Sequence, residues 1–136
     1  MTQQSAAAVV LTGVATALNV AGMTALAGVV NDAKQARTYP YVLITFGGES
    51  REDCMQKPGK SVVVVLHVYS QYEGDLEAAT ILSKAVELLH YQAITVSGHV
   101  LVATQYDQGD AMEPELINGI KTRHFIGIFR VDVRQV

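Results

Sequence analysis

Four histidines, one cysteine and a run of carboxylates are the residues of this chain whose side chains lend themselves to chemistry. Imidazoles bind metals or move protons together when they sit four apart on a helix or two apart on a strand, and no pair among His67, His90, His99 and His124 has that spacing. His67 and His124 fall inside strand-like runs among apolar and aromatic neighbours, so a hydrogen-bonded structural histidine is the expectation for each of the four. Cys54 follows Glu52 and Asp53, whose negative charges disfavour the thiolate that a nucleophile needs. A single cysteine closes no intrachain disulfide, and no CxxC or Cys/His spacing suggests zinc. Gly47-Gly48 is an isolated pair, without the Lys-Ser/Thr of a phosphate cradle, and no GxSxG or GxGxxG occurs. The acids Asp107, Asp110, Glu113 and Glu115 miss the spacing of a calcium loop, and Pro114 interrupts them. The residues predict no catalytic group, no bound metal and no cofactor.

The elements that carry these residues are marked by periodicity. Residues 5–19 read as a helix that Ser5 can cap, with Thr12, Thr16 and Asn19 on one stripe and Ala7, Val10, Val14 and Leu18 on another. Residues 25–31 are expected to be extended. Pro40 disfavours helix just before it, and 41–47 has the Tyr, Val, Ile and Phe content of a strand. A solvated loop is predicted over 47–53, running on to Lys57-Pro58-Gly59. The strongest strand is 61–69, apolar on both faces, as in the middle of a sheet covered on both sides. The cover would be a helix on one side and another subunit on the other.

The clearest helix runs from 74 to 90, with a polar stripe of Glu77, Thr80, Lys84 and Glu87 and an apolar arc of about half its circumference. Ser70 with Glu73, or Asp75, is positioned to cap it. Two more strands are predicted at 99–106 and 121–134. In the second, Phe125, Phe129, Val131 and Val133 share one face, while Arg130, Asp132 and Arg134 share the other and suggest ion pairs. Between them 107–120 reads as a long acidic loop, and loops of that length usually carry recognition. The order predicts one α+β domain over residues 1–136: a single mixed, largely antiparallel sheet of about four to five strands packed against two main helices.

Composition narrows the function classes. The chain has 136 residues, 49% of them hydrophobic and only 17% charged. Typical domains carry about 25% charged residues, so part of this surface is a candidate for burial against a partner. The net charge of −3 gives no basic footprint for gripping duplex nucleic acid. Residues 6–30 carry no charge, but their Ala, Gly, Thr and small Val, with no Lys or Arg ahead of them, fit neither a membrane span nor a signal peptide.

Several local signatures, in their order, resemble a phage tail-completion family, the tail terminators of long non-contractile tails and gene-transfer particles. Tyr39-Pro40-Tyr41-Val42 resembles the family's aromatic-Pro-Tyr entry to a strand. The 63–69 strand followed by Ser70 and Gly74 is similar to its apolar strand before a helix. Residues 78–89 look like its helix of small and aliphatic residues, and His124-Phe125 with Phe129-Arg130-Val131 is similar to its closing strand. The resemblance spans roughly residues 25–134. The Ala-rich first helix and the length of 107–121 depart from the pattern.

The resemblance implies a structural, non-enzymatic virion protein that forms a hexameric ring at the head-proximal end of the tail, after assembly in the host cytoplasm. The ring would end tube polymerisation, with the tail tube protein on one face and the head–tail connector or stopper protein on the other. DNA would pass through without specific binding. Candidate partner contacts are Glu49, Arg51, Glu52 and Asp53 in one loop and Asp107, Asp110, Glu113 and Glu115 in the other. The alternatives are a head-completion or neck protein, a small enzyme using His67 or His124 in a pocket between sheet and helix, and a dimeric ligand-binding module.

Overall fold

The computed structural model describes residues 5–24, 27–30, 39–51, 59–72, 74–117 and 119–135. Its elements run in the order α1 (Ala7–Leu18), α2 (Ala21–Thr24), β1 (Gly28–Val30), β2 (Tyr41–Arg51), β3 (Gly59–Ser70), α3 (Leu76–Leu89), β4 (His99–Ile117) and β5 (Ile120–Gln135). The strands form one sheet ordered β1-β2-β3-β5-β4. Only β1 and β2 are parallel; the other neighbours are antiparallel. The protein is α+β with a mixed sheet, and α1 and α3 are its two main helices.

Alternation along the strands decides the layers. Val62, Val64, Leu66 and Val68 of β3 are fully buried and join Phe129, Val131 and Val133 of β5 on one face. Val10, Val14 and Leu18 of α1 and Ala78, Ile81, Ala85 and Leu89 of α3 close over that face to form a single core. Each large aliphatic buried this way contributes about 1.5–3 kcal/mol of transfer free energy. The two helices therefore lie on the same side of the sheet. Val63, Val65, His67 and Tyr69 alternate onto the opposite face and are only partly buried. Of the two covers expected over β3, the described residues supply one, the helix layer.

Small residues set how closely the layers approach. A Cβ on Gly13 would stand 2.5 Å from the Thr95 carbonyl oxygen, so α1 lies against the 92–96 segment only because that position has no side chain. At Gly127 the nearest neighbour is the tip of the Leu82 side chain of α3, 2.6 Å from where a Cβ would stand, and that tip can turn aside. Thr12 and Thr16 donate to the carbonyls of Ala8 and Thr12 four residues back, both at 2.9 Å. Among the described residues no helix is long and apolar enough to cross a membrane.

The structure corrects both predicted loops. Residues 47–51 continue β2 rather than leaving the sheet, with the register shifting between Phe46 and Gly48. Gly47 makes this bulge possible, because a Cβ there would sit 2.9 Å from Val63 Cγ1, and Gly48 adopts φ of 144°. Residues 107–117 are likewise strand, the outer half of a 19-residue β4. Pairing with β5 overrides the poor strand propensity of Gly109, Asp110 and Pro114. The misfit is absorbed in register shifts after Tyr106 and after Met112; the second contains Pro114, which has no N–H to offer the ladder. Gly119, with φ of 78°, turns the chain back.

Capping also differs from expectation. Asp75 occupies the cap position of α3 without a side-chain hydrogen bond. Ser70 Oγ accepts from the Tyr72 N–H at 3.2 Å and donates to Glu77 Oε1 at 2.7 Å, while Glu73 lies outside the described residues.

Candidate functional site

The sheet face that carries no described helix is the most organised surface of the chain. Cross-strand register lays it out in rows across β2, β3, β5 and β4. One row is Tyr41–Tyr69–His124–Met112, the next Leu43–His67–Ile126–Asp110, then Thr45–Val65–Ile128–Gln108, then Gly48–Val63–Arg130–Gln105. Leu43, Val63, Val65, Ile126 and Ile128 give it an aliphatic centre, all of them partly buried. One end is aromatic. Tyr41 stacks on Tyr69 with ring centroids 4.9 Å apart, and Tyr69 stacks on His124 at 4.4 Å. At the other end Arg130 Nη2 donates to Gln105 Oε1 at 2.8 Å, and its Nε approaches Asp132 Oδ1 at 4.0 Å, the ion pairing that the alternation of charges suggested.

Two of the four histidines meet here. His67 Nδ1 and His124 Nε2 are 2.8 Å apart, and His67 Nε2 is 3.1 Å from Thr45 Oγ1. Thr45 commits its hydroxyl proton to the Val65 carbonyl at 3.2 Å. Its oxygen therefore accepts from His67 Nε2–H, which leaves His67 Nδ1 to accept from His124 Nε2–H. Burial lowers the pKa of His67, and the neighbouring His124 lowers it further. Burial also lowers that of His124, against an opposing pull from the Glu115 carboxylate. Tyr41 is pushed up to about 12, first by burial and then by Tyr39 and Tyr69. Both imidazoles lie on this open face and not in a pocket between sheet and helix, where the enzyme alternative needed them.

The candidate contact residues do not form one patch. Asp107, Asp110, Glu113 and Glu115 are brought together along the exposed outer half of β4. That strand borders the sheet, and Leu116 beside them is 76% exposed. Glu49 is drawn inward instead: its Oε1 accepts the Ala6 N–H at 3.2 Å and its Oε2 accepts from Ser5 Oγ at 2.6 Å. A carboxylate from β2 thereby caps α1 in place of Ser5 alone, in the favourable sense of the helix dipole. Arg51 closes β2 opposite Lys60. Glu52 and Asp53 lie outside the described residues. Replacing Glu49 with alanine is expected to cost about 1 kcal/mol, read as a fall of about 3–4 °C in the melting temperature. Glu49→Gln, which keeps an acceptor, should lose less than half of that.

A second surface lies on the helix layer. Val9, Thr12, Thr16, Ala17, Ile94 and Thr95 line an open groove of about 420 Å³. The hydroxyls of Thr12 and Thr16 are turned back onto their own helix, so this groove presents mostly methyl groups. Sequence reasoning found neither the groove nor the histidine pair, since both depend on which segments the fold places side by side.

Comparison with known proteins gives a family and a fold. The sequence model of the family described as "Tail completion protein gp17" matches residues 12–133. No curated protein sequence matches the chain. Among solved structures, a chain of the virion of a native gene transfer agent particle superposes with a TM-score of 0.77 at 18% identity. The alignment covers 97% of this chain and 99% of that one. At this identity the likeness is one of fold.

Proposed function

We propose, from the premise that this chain belongs to the tail completion protein gp17 family, that it closes the head-proximal end of a virion tail tube as a ring of six copies. Family membership makes it a structural protein of a phage-type virion tail. The ring goes further, and the observation that carries it is the uncovered sheet face, where Leu43, Val63, Val65, Ile126 and Ile128 form an aliphatic patch that no described helix of the same chain covers. A soluble subunit rarely leaves so ordered an apolar face to water unless something covers it.

A cyclic ring joins two different surfaces of each subunit. The open sheet face is one. The methyl-lined groove beside α1 is the candidate for the other, being of similar character on the helix layer. The border strand β4, with Asp107, Asp110, Glu113, Glu115 and the exposed Leu116, then remains free to meet the stacked neighbours: the tube protein on one side of the ring and the connector on the other. With a net charge of −3, the ring lets DNA pass without holding it.

Electron-microscope class averages of the purified protein test this reading. Sixfold rings are expected, and adding them to purified tubes should halt elongation with one ring per tube end. A protein that remains a single copy at high concentration and ignores tube ends would sink it. Rings that bind the portal side alone would assign the chain to the neck.

A further inference from the structure

We propose that His67 and His124 form one acid-operated unit on the open sheet face: a single bridging proton ties β3 to β5 at neutral pH, a first added proton charges the face and leaves the bridge intact, and a second added proton forces the two rings apart. Its effect on the ring rests on the reading of the preceding subsection; the unit itself does not.

The geometry allows one proton between the rings and no more. His124 Nε2–H donates to His67 Nδ1 across 2.8 Å, and His67 Nε2–H is held by Thr45 Oγ1, which is itself anchored on the Val65 carbonyl. A first added proton goes to His124 Nδ1, outside this chain of bonds, where it leaves the bridge intact and meets the field of Glu115. A second must go to His67 Nδ1. Two N–H groups then point at each other across a distance that suits only a donor and an acceptor, with a positive charge on each ring. The contact is a diagonal one, because His67 faces Ile126 and His124 faces Tyr69 in register, so separating the rings need not break the backbone ladder.

Among the described residues the second charge has no counterion in contact. From β2 the pair is faced by Tyr41, Leu43 and Thr45, and from β3 by Tyr69. From β4 it is faced by Met112, Asp110 and Glu115, with Asp110 already accepting from Gln108 Nε2 at 2.6 Å. Arg123, next in the chain to His124, is turned to Asp75 at 3.4 Å. No described helix packs on this side.

The direction of the pH effect follows. Both imidazoles titrate lower in the folded chain than in the unfolded one. The folded state therefore binds fewer protons as pH falls through about 6.5, the ordinary histidine value. Stability is full above that pH. It is lost on descending from about 6.5 to the lowered folded values, and below those the penalty is constant.

The test is a pH titration of the 15N-labelled histidine rings from 8 to 4.5, run beside sedimentation of the assembly at the same pH values. In the native protein His67 and His124 should titrate as a coupled pair below the ordinary range, with scalar coupling across the N–H···N bridge. In His124→Gln the His67 midpoint should rise. The ring's dissociation constant should increase about tenfold for each pKa unit separating free from assembled subunits, and His67→Gln should flatten that rise. Independent titration of the two rings, or a His67 midpoint unmoved by His124→Gln, overturns the unit. Coupled titration with an assembly indifferent to acid keeps the unit and removes the neighbouring subunit from this face.

Discussion

Phe129→Ala should unfold the subunit at temperatures where the native protein is intact, through a loss of about 3–5 kcal/mol. Phe129 is fully buried and the largest side chain of the core. It faces Val64 across the β3–β5 ladder, and its ring lies 5.2 Å from that of Tyr106 on β4. A Cβ on Gly127 would come within 3.1 Å of Phe129 Cε1, so the phenyl ring fills space that the glycine leaves. Removing the ring opens a cavity bounded by β strands on one side and α3 on the other, and strands locked in a ladder collapse poorly into such a void. Urea unfolding of the dissociated subunit measures the effect. Phe129→Leu should recover more than half of the loss, and an alanine variant within about 1.5 kcal/mol of native would show that the layers close up.

Ile128→Glu should do the opposite: leave the subunit folded and abolish the proposed ring. Ile128 lies at the middle of the open sheet face, between Val65 on β3 and Gln108 on β4. In the isolated subunit a carboxylate there reaches water. Under a neighbouring copy it would be buried without a partner, which costs several kcal/mol. Each 1.4 kcal/mol weakens association tenfold, so the expected change is a loss of more than about 100-fold in ring affinity. Far-UV circular dichroism and the melting temperature report the fold, and sedimentation reports the ring. Rings assembling at the native concentration would show that this face is not the contact.

What the sequence disclosed follows from where periodicity is strong. The apolar character of both faces of 61–69 marks β3 as the middle of the sheet, which is where it lies. The polar stripe of Glu77, Thr80, Lys84 and Glu87 marked the outer side of α3, and Phe125, Phe129, Val131 and Val133 gave the inner face of β5. Residues 107–117 read as a loop because local propensity takes no account of the partner strand. A usable signal was present: Asn118-Gly119 between Ile117 and Ile120 is the dipeptide that favours a two-residue hairpin turn, and Ile117 pairs with Ile120. Gly47-Gly48 misled similarly, since two glycines that read as a turn also permit a bulge in a continuing strand.

The histidine pair was illegible for a different reason. His67 and His124 are 57 residues apart, and their approach depends on the register of β3 against β5. That register joins strands that α3 and β4 separate in the chain. Glu49 illustrates the same point, since its role depends on α1 returning to β2 across 43 residues. A single sequence reports which face a residue occupies well before it reports the neighbour across the ladder.

The border position of β4 has a consequence for the free subunit. Among the described residues this 19-residue strand is paired on one side only, and a bare row of backbone groups of that kind can seed fibres. Here the exposed stretch is studded with four carboxylates and broken by a proline-containing offset. Like charges on two such borders repel each other and the offset breaks their register, which protects the edge from adding strands indiscriminately.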